Sequence, residues 1–320
     1  MKRLVILIGL MLAASTLFGQ TPNPSYPTNN PLPDWVYKTA EERRKMYELT
    51  GRTPDGMIAD RPDGRFPRLH GTRPDGKPYT KEELEKIRAL LLPAPEDLET
   101  YKAFLDRPKT GIFRLFSFYD CYSKNLIRTD GPCADFIEDS WSFSFRWKTY
   151  NNLSDVALVD GQIQTGSFFT QGLIVALGDV PLDNLSLASD GIKDLVEFKP
   201  AATFDEARRH SKKIKEGFDF AGFRFADRLT PEVGRTYALR SIAYRPHKWP
   251  PIFLRPGDKL VRADARFFGI RYDVRDDLIV VFRVIRKDAD GNLTILWKEL
   301  QRRDAPKIKF SDKEIMRDFN

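Results

Sequence analysis

The sequence predicts a mainly β protein: a β-sandwich or partly closed barrel with one surface helix, preceded by a short helical and turn-rich N-terminal arm. Three observations carry that prediction. First, from Gly111 onward the apolar residues recur with a period of two, which is the strand repeat and not the helical one. Second, turn residues punctuate the chain at short intervals, as at Asn151-Asn152, Asp160-Gly161 and Gly178-Asp179. Third, Ser140–Leu182 opens on a run in which Trp141, Phe143, Phe145 and Trp147 share one parity and Ser142, Ser144, Arg146 and Lys148 the other. As a single strand, this run would line one face with four rings, the largest apolar contribution of any short segment here, so it is expected at the centre of the domain.

The chain begins with Lys2 and Arg3 ahead of an apolar run, Leu4–Ala14, with a cleavage point after Gly19. Residues 1–19 read as a secretory signal, and the expectation is a secreted or periplasmic protein without a transmembrane segment in the mature chain. Residues 20–79 form a Pro/Asp/Gly-rich arm. It holds one short helix over Thr39–Thr50 and three Pro-Asp-Gly turns, at Pro54–Gly56, Pro62–Gly64 and Pro74–Gly76. These copies are too short and too unevenly spaced for a solenoid. They are expected to be either a poorly ordered connector or a basic arm laid along a partner or along the protein's own surface.

A helical linker follows over residues 80–106. In Thr80–Leu92 the Thr80/Glu83 pair makes a capping box and Pro93 stops the helix; Pro95–Leu105 is a second, shorter helix. The β-rich domain is assigned to residues 107–320, with strands expected at Ile112–Tyr119, Val156–Ile163, Leu173–Leu177, Phe218–Phe225, Thr236–Tyr244, Lys259–Phe267, Leu278–Arg286 and Leu293–Leu300. Leu278–Ile285 is nearly all aliphatic, as a strand covered on both faces should be. The one helix among them, Thr203–Glu216, has Thr203 as cap, acids in its first turn and lysines in its last. Its apolar residues are few, which leaves Arg208, Arg209, Lys212, Lys213 and Lys215 on a basic outer face.

Charge and motifs narrow the function by exclusion. The net charge of +7 and pI near 9.2 are not those of a dedicated nucleic-acid binder. The excess lies in Ala201–Asn320, with about 27 basic and 18 acidic residues, roughly +9. Cys121 and Cys133 flank the Thr129-Asp130-Gly131-Pro132 turn, and in an oxidising compartment they are expected to form a disulfide. His70, His210 and His247 lack the spacing of metal ligands, and Asp288–Asn292 reads as a hairpin turn, since Leu293 stands where a calcium loop needs Gly. No nucleophile elbow or phosphate loop is present, so no metal and no cofactor is implied.

Paired-carboxylate chemistry could draw on Glu138, Asp139, Asp273, Asp276 and Asp277. The remaining candidate is the proline-stiffened loop Tyr244–Pro256, where Tyr244, Arg245, Lys248, Trp249 and Arg255 interleave rings and cations as a ligand-binding face would. The same rings could instead close one end of the core. Three functions follow. One is an exported binding or envelope-associated protein that recognises an anionic glycan or an envelope protein; the others are a polysaccharide hydrolase using two carboxylates and a structural subunit of an envelope assembly.

Overall fold

The computed structural model describes residues 80–118, 140–144, 146–148, 153–249, 275–311 and 314–320. The described chain opens on α1 (Lys81–Leu91), α2 (Pro95–Thr100) and α3 (Lys102–Leu105). The capping box forms as expected: the Thr80 amide donates to Glu83 Oε2 at 2.8 Å, and the Glu83 amide donates to Thr80 Oγ1 at 3.2 Å. The strands that follow are β1 (Thr110–Leu115), β2 (Ser140–Ser142), β3 (Trp147–Lys148), β4 (Val156–Val159), β5 (Gln162–Thr165) and β6 (Thr170–Gly178). Next come α4 (Ile192–Glu197), α5 (Phe204–Glu216), β7 (Phe218–Phe220), β8 (Phe223–Ala226), β9 (Arg228–Leu229), β10 (Thr236–Ala243) and β11 (Arg245–Pro246). The last strands are β12 (Asp277–Lys287), β13 (Leu293–Arg303) and β14 (Lys307–Ile308).

The architecture is mainly β and sandwich-like, without a closed barrel. A seven-stranded sheet runs in the order β1-β13-β12-β10-β6-β8-β7, and a five-stranded sheet in the order β3-β2-β4-β5-β9; the pairs within both are antiparallel. Alternation along each strand decides what the large sheet's two faces bury. Leu278, Val280, Phe282 and Val284 of β12 meet Leu239 of β10 and Trp297 of β13 on one face, and the small sheet's Trp141, Val156, Leu158 and Ile163 pack against them. Ile279 and Val281 point the other way, into a second cluster with Leu173, Val175, Phe104 of α3, Leu195 of α4 and Ile214 of α5. Thus β12 is covered on both faces, as its aliphatic run foretold. The helical cover is broader than the one surface helix expected: α4 lay hidden in the sequence because its six residues are too few to show a period.

The Ser140–Trp147 run is a correction. It does not continue as one strand; β2 ends at Ser142 and β3 begins at Trp147, and the two pair antiparallel, Trp141 with Lys148 and Ser142 with Trp147. The reason is a buried carboxylate. Asp155 Oδ2 accepts from Ser142 Oγ at 2.9 Å and from the amides of Phe143 and Ser144 at 2.7 and 3.3 Å, and these amides are then not spent on a ladder. Arg146 takes a left-handed φ of 57° to close the turn. Trp141 and Phe143 nevertheless enter the core as expected, with Trp141 stacked on Phe113 at 4.0 Å between ring centroids. Ser142 and Ser144, expected on the opposite and more polar face, are buried too.

Candidate functional site

The loop singled out in the sequence enters the interior at its head. Tyr244 is 1% exposed; its hydroxyl donates to Gln171 Oε1 at 2.7 Å and accepts from the Ala201 amide at 2.9 Å. Burial pushes this phenol's pKa up, with Asp277 adding to the rise. Arg245 is also buried and donates to the carbonyls of Tyr244 and Arg275, at 3.1 and 2.6 Å, while β11 pairs in parallel with β14. Trp249 is half-buried against a third apolar cluster, and among the described residues of the expected contacts Lys248 alone stands exposed. The expected contact face is therefore corrected at Tyr244 and Arg245: their polar atoms are already satisfied inside the protein. Arg255 lies outside the described residues, as do Cys121 and Cys133.

The two described carboxylates of the hydrolase reading are also engaged. Asp277 receives a two-pronged hydrogen bond from Arg240, at 2.8 and 2.7 Å, with both side chains almost fully buried. Asp276 meets Arg302 at 3.4 Å, and Arg302 donates in turn to Glu299 at 2.6 Å. Burial alone would lower the Arg302 pKa, but Glu299 and Asp276 outweigh it and the value is raised. A general acid needs a carboxyl that can reach substrate and exchange a proton. A pair locked to guanidinium in the core offers neither. Glu138, Asp139 and Asp273 lie outside the described residues, and among the described residues no three metal-ligating side chains converge.

One open feature of the described surface is a groove along α5. Thr203 caps this helix, accepting from the Glu206 amide at 3.3 Å, and Phe204, Ala207, Ser211 and Ile214 bury its inner face. The three- and four-residue spacing that buries those positions brings Asp205, Arg208, Arg209, Lys212, Lys215 and Glu216 to the outer side. Together with Ser211 and Phe319 they line a groove of about 590 Å³. Phe319 comes from the C-terminal segment, which is pinned under the helix: Asn320 Nδ2 donates to the Ser167 and Thr170 carbonyls at 2.7 and 2.9 Å, and Ser211 Oγ bonds Asn320 Oδ1 at 3.1 Å.

Four cations face two carboxylates in this groove. The pairs they make are long and exposed, Arg208–Asp205 at 3.8 Å and Lys212–Glu216 at 3.9 Å, so they neutralise little. Arg209 and Lys215 make no ion pair among the described residues. The helix's basic face was visible in the sequence, but the groove was not. Its second wall depends on Phe319, more than a hundred residues further on, and no local pattern announces that contact. In comparisons with known proteins, no family model, no curated protein and no solved structure matches this chain.

Proposed function

We propose that this chain is an exported, envelope-associated binding protein, and that it takes an anionic partner, a glycan or an envelope protein, along the basic groove of α5. The observation that supports this reading is the groove itself, where Arg208, Arg209, Lys212 and Lys215 outnumber Asp205 and Glu216 on an exposed face. Guanidinium and ammonium groups at helical spacing meet repeated carboxylates or sulfates along an extended polymer, and an arginine grips each with two hydrogen bonds. The charge excess of the C-terminal part of the chain adds a longer-range attraction. Binding, and not turnover, is the reading that the locked carboxylates favour.

The test is titration of the protein with dextran sulfate against neutral dextran. The sulfated polymer should bind, with affinity falling as salt rises, because exposed charges are screened over about 8 Å at physiological ionic strength. Arg209→Ala/Lys215→Ala should weaken binding about tenfold with no change in Tm, since both residues are exposed. Equal affinity for the neutral polymer, or none for either, would remove the proposal. Export rests on residues 1–19 and on the expected Cys121–Cys133 disulfide; thiol titration of the secreted, denatured protein should find no free thiol, and two free thiols would tell against an oxidising destination.

A further inference from the structure

We infer that the β7–β8 hairpin, next to the groove, is a docking surface for an anionic lipid bilayer. β7 is the edge strand of the large sheet and leads directly out of α5 through Gly217. The hairpin pairs Phe218 with Phe225, Asp219 with Arg224 and Phe220 with Phe223, and it closes on Ala221 and Gly222 at φ of 49° and 85°. Two consecutive left-handed residues make the tightest hairpin turn, so the tip projects as a narrow wedge. Its four Phe residues are not treated alike. Phe225 is buried, Phe218 and Phe223 pack partly into the cluster under the helices, and Phe220 stands 56% exposed.

Residues 219–222 are all exposed and carry one charge between them. Behind the tip lies a collar of cations: Lys212, Lys213 and Lys215 on the last turns of α5, and Arg224 on β8. Lys213 Nζ sits 4.4 Å from the Phe218 ring centroid, and Arg224 is held by the Glu216 carbonyl at 3.1 Å. The acids of this patch are Glu216, 3.9 Å from Lys212, and Asp219, 3.4 Å from Arg224, so Lys213 and Lys215 are its surplus cations. A phenyl ring on a projecting turn with lysines and arginine set back from it matches the layering of an anionic membrane surface. The ring enters the acyl boundary while the ammonium groups stay level with the phosphates. A soluble polyanion would satisfy the cations but would leave Phe220 in water. The bilayer accounts for both.

The hairpin patch shares Lys212, Lys215 and Glu216 with the groove, whereas Phe220 belongs to the hairpin alone and Arg209 to the groove alone, and the experiment separates the two through these residues. The full chain is co-sedimented with phosphatidylglycerol–phosphatidylcholine vesicles and with pure phosphatidylcholine vesicles, at low and high salt, alongside the dextran sulfate titration. Wild type should bind the anionic vesicles alone. Phe220→Ser should weaken that binding about tenfold and leave dextran sulfate binding intact. Arg209→Ala, in the groove, should do the reverse. Absence of binding to anionic vesicles, or binding that Phe220→Ser leaves unchanged, would overturn the inference while the groove proposal could still hold. Analytical ultracentrifugation completes the test. If Phe220→Ser turns a dimer into a monomer, and dimerisation accounts for the loss from vesicles, the tip is a contact between two copies and the bilayer reading falls.

Discussion

Asp155 shows how much one side chain can decide in this fold. Fully buried, it accepts from Ser142 Oγ and two turn amides through one oxygen and from Ser241 Oγ, at 2.5 Å, through the other. Ser142 belongs to the small sheet and Ser241 to the large one, so a single carboxylate joins the layers. Asp155→Ala leaves several buried donors without an acceptor and should cost about 3 kcal/mol or more in urea denaturation. A loss below about 1 kcal/mol would show that the hairpin holds without it. His210 makes the pH counterpart. Burial lowers its pKa below 6.5, Glu206 opposes the shift, and Arg209 and Lys213 assist it; its Nδ1 is buried with no hydrogen-bond partner among the described residues. The folded state thus binds the proton less readily than the unfolded chain. The stabilisation is complete above pH 6.5 and is lost as pH falls through the lower folded value. The denaturation midpoint should decline as pH falls from 6.5 through the lower folded value, and His210→Phe should flatten the decline. An equal slope in the variant would assign the effect to other groups.

At the scale of elements, α4 shows why some of the fold was legible and some was not. β12 was readable because its neighbours cover both faces and its composition says so. α5 was readable because its caps are local. α4 depends instead on Arg240 of β10, 45 residues beyond Leu195 in the chain. The guanidinium donates to the carbonyls of Leu195 and Phe198, both at 2.6 Å, closing the C-terminal end of α4, while its other edge holds Asp277. An arginine in a strand reads as a solvated side chain; its burial at 1% exposure follows from partners that no local window contains. The same holds for Ser142 and Ser144, expected on the polar face of one strand and buried instead, where both donate to Asp155. Arg240→Met should cost about 3–5 kcal/mol, chiefly by stranding the Asp277 charge. Arg240→Met/Asp277→Leu should recover part of that loss, and a double variant as unstable as the sum of the singles would show that the pair is not coupled.

Over the whole molecule, the described core is three clusters, not one. The first fills the space between the sheets, the second lies between the large sheet and the helices, and the third closes one end with Phe168, Phe169, Phe204, Tyr244, Ile308, Met316 and Phe319. The third draws on distant parts of the chain, and its aromatic contacts converge on Phe169: Tyr244, Phe310 and Phe319 lie at 6.3, 6.0 and 5.0 Å between centroids. Tyr244, expected to face a ligand, belongs here because its ring is needed to close this end and its hydroxyl finds Gln171. The C-terminal segment is part of the same closure, with Asp318 Oδ1 accepting from the Phe169 amide at 3.2 Å. Deleting residues 316–320 would therefore remove two buried apolar side chains, each contributing about 1.5–3 kcal/mol, along with the Asn320 clamp. The truncated protein should melt several degrees lower and lose dextran sulfate binding, because α5 would lose the wall that makes its outer face a groove. If it melts lower yet still binds with wild-type affinity, the groove's shape is immaterial and the helix's charges alone attract the polymer. An unchanged melting temperature would mean that the third cluster closes without Met316 and Phe319.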